Sequence, residues 1–299
     1  MTHAPLRIGV RATRLGRSLG ERIAEQLRPH LGATTVTQVA IEGDGRGAWP
    51  GAGLTRAVLQ GDVDLAVQNA KEMAPELPTG VVLAAVAERV TPFDVLIASD
   101  EMILDELPEG ACLSAHSPVR RAQLLRYRDD LRLIDVAGSL EERMRLLESG
   151  DVDGIVVSAS AVEHLGFQDR VTEIFTTEVL LPGPGQGACA VLARQGSKEL
   201  LRLVKHLEHA EARAELVCER AFRSELKAEP TVAIGALASI EDGVIRLDGA
   251  VVDSAGGKIV RDAEEGEVGH EEAIGIRLAR RLLADGARRI VSLASGGDR

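Results

Sequence analysis

Aromatic side chains are almost missing from this sequence. Phe, Tyr and Trp together make up 2% of it. Base stacking, the common grip on single-stranded nucleic acid, therefore has little to work with. An excess of positive charge is missing as well. The net charge is −11, which repels a phosphate backbone, so nucleic acid is not an expected partner. Cysteine is scarce. Cys112, Cys189 and Cys218 show no CxxC or metal-finger spacing, and an odd count in a chain of 299 residues fits a reducing compartment. The opening MTHAPLRIGV lacks the apolar core of a secretion signal. No apolar run reaches membrane-spanning length, so a cytoplasmic protein with no membrane partner is expected. The seven histidines form no HExxH or comparable cluster with acidic residues, and no metal is expected. There is no GxSxG element. The glycine-rich stretch EGDGRGAWPGAG (42–53) has neither the spacing nor the GK[ST] of a phosphate-binding loop.

The residues that are present belong to an α/β protein. Hydrophobic residues are 45% and charged residues 27% of the chain, ordinary for a globular fold, and the length suits two or three small lobes. LRIGV (6–10) reads as a buried strand. RATRLGRSLGERIAEQLRPHLG (11–32) reads as a helix, with Leu15, Leu19, Ile23 and Leu27 spaced by four. TTVTQVAI (34–41) is a strand run. LTRAVLQGDVDLAV (54–67) and ERMRLLESGDVDGIVV (142–157) both read as helix, tight turn and buried strand, with GDVD at each turn. This echo points to two lobes of similar design, although any α/β protein can repeat such a turn. VVLAAVAERVTPFDVLIAS (81–99) and LLPGPGQGACAVLA (180–193) read as crossings between lobes. The segment 197–228 is rich in helix formers. From 232 to 266, short apolar runs alternate with DG and GG turns, an antiparallel hairpin pattern, and 270–287 is an amphipathic helix.

Several charged residues fall where ligands bind in open α/β sheets, at strand carboxyl ends beside helix N-termini. Arg11 and Thr13 lie at the first strand-to-helix turn, and Arg is the planar, bidentate partner for a carboxylate. In SPVRRAQLLRYR (117–128), Ser117 and Pro118 suit a helix start, which puts Arg120 and Arg121 in its first turn; the pair reads equally as a polyanion site or as surface. Lys71 and Glu72 follow the strand DLAV, and Glu72 is placed to stabilise a cation or move a proton. On spacing alone, two exposed loop charges are the better explanation of them. Cys189 and Cys218 sit in apolar contexts and read as packing residues.

Five motifs in order resemble the hydroxymethylbilane synthase (porphobilinogen deaminase) family over nearly the whole chain. They are LRIGVRATRLG, GDVDLAVQNAKEMAPELPTGVVLAAVAERVTPFD, HSPVRRAQLL, LLPGPGQGACAV and ERAFRSELKAEPTVAIGA. The resemblance implies an α/β fold of three domains, two lobes like those of periplasmic binding proteins plus a C-terminal α+β domain. Their expected limits are 1–90 with about 188–206, then 91–187, then 207–299. It also implies a monomer. It further implies a small carboxylated substrate, possessing an amine and similar to porphobilinogen. Catalysis would fall to Glu72 and Lys71, and substrate binding to Arg11, Thr13, Arg89, Arg120, Arg121, Arg143, Gln68 and Asn69.

The departures from the family pattern gather at these positions. The family's cofactor-bearing cysteine aligns with Pro230, which has no nucleophile and a fixed φ. The family aspartate aligns with Glu72, longer by one methylene and about an ångström. The His-Ser before it becomes Gln68-Asn69, and one family arginine becomes Ala137. These changes lead us to expect no dipyrromethane cofactor and a divergent enzyme acting by deamination or condensation. The alternatives are a non-catalytic anion- or pyrrole-binding or regulatory protein, and a true hydroxymethylbilane synthase anchoring its cofactor through Cys218 or Cys189.

Overall fold

The computed structural model describes residues 4–43, 49–136 and 138–295. Most of the glycine-rich loop at 44–48, and Ala137, lie outside the described residues. In chain order the elements begin with β1 (Leu6–Arg11), α1 (Arg14–Leu27), β2 (Val36–Ile41), α2 (Ala52–Gln60), β3 (Leu65–Asn69) and β4 (Val81–Ala87). There follow β5 (Asp94–Ala98), β6 (Cys112–Ser114), α3 (Pro118–Tyr127), β7 (Arg132–Ile134), α4 (Leu140–Ser149), β8 (Gly154–Ser158), α5 (Ala159–Leu165) and β9 (Glu173–Ile174). The chain continues through β10 (Cys189–Arg194), α6 (Lys198–Val204) and α7 (Ala210–Leu226). It closes with β11 (Ala233–Glu241), β12 (Val244–Val252), β13 (Ile259–Glu267), α8 (Glu271–Leu282) and α9 (Arg288–Ser295).

Contacts group these elements into two compact units, Met1–Val90 with Ala188–Ala214, and Thr91–Gly187 with Glu215–Arg299. The chain passes between units three times, inside the two segments that read as crossings and again within α7, between Ala214 and Glu215. In the first unit the sheet order is β2-β1-β3-β10-β4, with β1 parallel to β2 and β3, and β10 antiparallel to β3 and β4. Helix α1 covers this sheet because its four-residue spacing puts Leu19, Ile23 and Leu27 on one buried face. It is shorter than the sequence suggested at both ends. Arg11 completes β1, Thr13 Oγ1 accepts the Gly16 N–H at 3.0 Å as the cap, and Pro29 falls in a 3₁₀ turn.

The second unit repeats this plan. Its sheet order is β7-β6-β8-β5-β9, with β6 parallel to β7 and β8, and β5 antiparallel to β8 and β9. The GDVD echo has a physical basis. Gly61 and Gly150 end α2 and α4 at φ 81° and 77°, a region glycine enters without strain. The second aspartate of each GDVD then ties the next strand to the first. Asp64 Oδ2 accepts the Arg7 N–H of β1 at 2.8 Å, and Asp153 Oδ2 accepts the Cys112 N–H of β6 at 2.7 Å.

The second unit also holds the antiparallel sheet β11-β12-β13. Its first hairpin turns at Asp242 and Gly243, with φ 49° and 78°, the two positive values a type I′ Asp-Gly turn requires. Cys218 and Phe222 of α7 and Ile274 and Leu278 of α8 pack on this sheet. Buried Glu219 joins it to the glycine-rich segment before β10. Its Oε2 accepts the Gly185 N–H at 2.6 Å and its Oε1 accepts the Ala238 N–H at 2.9 Å. Among the described residues no helix is long and apolar enough to cross a membrane, and no cluster of His, Cys, Asp or Glu is placed to hold a metal.

Candidate functional site

In the first unit, β1 and β3 run parallel and side by side, so their carboxyl ends put Arg11 next to the short 3₁₀ turn Ala70–Glu72. The Arg11 guanidinium donates to Glu72 Oε1 at 2.7 Å, and the two side chains keep 36% and 17% of their surface exposed. The turn is set by Asn69, whose Oδ1 accepts the Lys71 N–H at 3.2 Å. The carbonyl of Glu72 accepts the Gly51 N–H at 3.0 Å. Thus Arg11, Thr13, Gln68, Asn69, Lys71 and Glu72 are gathered at one sheet edge. Gln68 is 2% exposed, and neither its Nε2 nor its Oε1 finds a hydrogen-bond partner. Its amide packs against Gly51, where only a residue without a Cβ leaves it room. Arg89 is half-buried in the connection after β4.

In the second unit the carboxyl ends of β6, β7 and β8 lead into α3, α4 and α5. The sequence reading offered two roles for Arg120, ligand contact or solvated surface, and the structure gives it a third. Arg120 is 5% exposed and lies inside the unit. Its Nε and one terminal nitrogen donate to Asp94 Oδ1 at 3.0 and 2.6 Å, and it also donates to the Val156 carbonyl and Gln186 Oε1. Gln186 Nε2 in turn donates to Asp94 Oδ1 at 2.9 Å. A guanidinium with so many internal acceptors braces the fold. Arg121 donates to the Leu133 carbonyl at 3.1 Å. Ser117 stands at the N-cap of α3, yet its side chain makes no capping bond. The capping box forms instead on α4, between Ser139 and Glu142.

Arg143 differs from its neighbours. It lies one turn into α4, and its donors reach only the Ser139 and Gly138 carbonyls, both at 3.5 Å. Among the described residues it has no ion pair. Burial, and then repulsion from Arg120, push its guanidinium down to about 10, against the partial offset of Asp135 and Glu142. It remains protonated at neutral pH, as a desolvated cation that an incoming carboxylate would stabilise.

Pro230 sits at the second position of the turn Glu229–Val232, closed by the Val232 N–H on the Glu229 carbonyl at 3.0 Å. Proline is pre-set for that position, so residue 230 now serves the turn. Cys112, Cys189 and Cys218 are all buried. Burial pushes the Cys189 and Cys218 thiols up to about 12, which leaves almost no thiolate at neutral pH.

Three residues that matter at these edges were not singled out in the sequence, namely Asp94, Gln186 and Asp135. Asp94 and Gln186 lie inside two of the quoted motifs, which was the available signal. Asp135, paired with His116 at the end of β7, had none.

The sequence model described as porphobilinogen deaminase, dipyromethane cofactor binding domain, matches residues 6–202. The porphobilinogen deaminase C-terminal domain matches residues 214–284. The porphobilinogen deaminase of Pelotomaculum thermopropionicum is 40% identical over 82% of this chain and 79% of its own. That of Syntrophotalea carbinolica is 32% identical over 98% of this chain and 96% of its own. Among solved structures, a probable amino-acid ABC transporter extracellular-binding protein from Bacillus subtilis aligns with a TM-score of 0.46 and 14% identity, covering 69% of this chain and 91% of its own. That likeness has no bearing on function.

The first of these matches corrects one expectation. The sequence argued for no dipyrromethane cofactor, yet residues 6–202 match the family's cofactor-binding domain. The expectation rested chiefly on the cysteine missing at position 230, whereas arginines suited to a dipyrromethane's acidic side chains lie within 6–202. Arg11 and the desolvated Arg143 fit those carboxylates. A thioether does not fit residue 230, because proline has no sulfur.

Proposed function

Because the chain belongs to the porphobilinogen deaminase family, we propose that it is a transferase of that type, acting on a small aminomethyl pyrrole that carries carboxylates. Arg11, beside Glu72 in the first unit, is its contact for an acidic side chain of the pyrrole. The observation that carries the reading is Glu72, a carboxylate set at a strand's carboxyl end, 2.7 Å from Arg11 and still partly open to solvent. When the amine leaves such a pyrrole as ammonia, the carbon it leaves becomes cationic. A fixed carboxylate beside it lowers the energy of that cation. Arg11 holds Glu72 oriented through their 2.7 Å contact until the ligand takes over the guanidinium. Lys71 adds a second positive group next to the carboxylate.

Porphobilinogen is the substrate to test, with ammonia release and pyrrole consumption as readouts. Glu72→Gln is expected to reduce turnover about 100-fold or more while the rise in melting temperature caused by the ligand persists. Ligand stabilisation without any consumption by the native chain would exclude catalysis and leave binding alone. The purified protein is also expected to give the acidic-aldehyde colour of bound pyrroles. A colourless preparation would count against a resident dipyrromethane.

A further inference from the structure

A groove of about 660 Å³ in the second unit shares no lining residue with the candidate site and is walled by the end of α3, the β12–β13 turn and the bend between α8 and α9. Its size falls within the range of small-molecule sites, roughly 300–1,000 Å³. The walls are fixed by backbone. Gly256 brings the β12–β13 turn against α3 so closely that a Cβ there would lie 2.6 Å from the Ala122 carbonyl oxygen. Gly286, at φ 114°, turns the chain between α8 and α9.

Three cations from three elements meet in this groove, Arg126, Lys258 and Arg289. None forms an ion pair among the described residues. Elsewhere in the unit Arg128, Arg170, Arg246, Arg277, Arg280 and Arg281 are ion-paired. Two acids also line the groove. Asp253 is already committed, its oxygens accepting the N–H groups of Ala255, Gly257 and Lys258 at 2.6 to 3.0 Å. Three cations thus face two acids, a local excess of positive charge in a chain whose net charge is −11. Ile259, Val260 and Ile290 add apolar lining, and Leu293, also in the lining, is 67% exposed, the highest value among the large hydrophobic residues described. Cations beside apolar lining match a molecule with an acidic head and an apolar body.

We propose that this groove binds a small amphiphilic anion, an apolar body carrying a carboxylate, phosphate or sulfonate group. The test uses anilinonaphthalene sulfonate, whose fluorescence rises when its rings leave water. The full chain is expected to bind one equivalent saturably. Arg126→Ala/Arg289→Ala, both exposed side chains, should weaken binding at least tenfold without moving the melting temperature, and Leu293→Ser should weaken it less. Arg143→Ala should leave it unchanged. Absence of saturable binding, equal binding by the double variant, or loss of binding in Arg143→Ala would each overturn the proposal. Inorganic phosphate should compete only weakly, because it lacks the apolar body, and competition as strong as the dye's own binding would reject the amphiphilic requirement. Vesicles containing an anionic phospholipid that displace the dye would identify a lipid as the source of the anion. Failure of the vesicles to displace it, with the mutant pattern intact, would identify a free small molecule.

Discussion

The two units place an arginine and a carboxylate at the same edge of the same kind of sheet, and they treat the pair in opposite ways. Arg11 and Glu72 keep 36% and 17% of their side-chain surface exposed, whereas Arg120 and Asp94 keep 6% and 1%. The first pair has one short contact. The second is joined by Gln186 and the Val156 carbonyl. Position on a fold therefore does not decide the role of a charge. An exposed pair is cheap to open, since solvent replaces what the partner gave. A buried pair leaves an uncompensated charge when broken. The first unit thus offers a pair that a ligand can enter, and the second offers a brace, with Arg143 as its available cation.

The largest expected effect tests that contrast directly. Asp94→Ala strands the Arg120 guanidinium and should cost about 3–5 kcal/mol in urea unfolding. Glu72→Ala should cost about 1 kcal/mol or less. Equal costs would show that the two pairs are alike and would remove the basis for assigning them different roles.

A second comparison concerns buried polar atoms. The amide of Gln68 in the first unit and the Ser114 hydroxyl in the second both lack hydrogen-bond partners, and both sit at the end of a parallel strand. An orphaned polar group costs about 1–3 kcal/mol. Gln68→Leu keeps the approximate volume and should raise stability by about 1 kcal/mol, seen as a higher melting temperature. Ser114→Ala should give a smaller gain. If Gln68→Leu is destabilising instead, a buried water satisfies the amide, and the first unit stores no such cost.

The architecture was largely legible because it rests on local, repeated signals. The four-residue spacing of Leu19, Ile23 and Leu27 marked α1, the DG at 242–243 marked a hairpin, and the GDVD echo marked two matching sheets. What was not legible depends on tertiary burial. Nothing local distinguishes Arg120 from Arg121, adjacent on one helix, yet one is buried against Asp94 and the other reaches a backbone carbonyl. Asp94 lies 26 positions before its partner, a separation no periodicity encodes. Pro230 misled in another way. A single missing nucleophile weighed more in the sequence than a likeness to the family's cofactor-binding domain over some two hundred positions.

The smallest predicted effect separates the two GDVD turns. Asp64 and Asp153 accept equivalent backbone N–H groups, but only Asp64 also takes the Arg7 side chain, through Nε at 3.2 Å and a terminal nitrogen at 2.8 Å. Burial alone would raise the Asp64 carboxyl. The hydrogen bonds from the Arg7 side chain and backbone outweigh it and hold the group below its ordinary 3.8. A carboxylate depressed in the folded state stabilises it above the unfolded value and loses that contribution as pH falls through the folded one. Stability contributed by Asp64 should therefore be complete above roughly pH 5 and fade below 3.8. The Asp64 side chain is 31% exposed, so solvent screening keeps the change to less than about 1 kcal/mol. Asp64→Asn should flatten the acid limb of a stability-versus-pH curve by that amount. If Asp153→Asn flattens it equally, the Arg7 side chain adds nothing and the two turns are equivalent in energy as well as in geometry.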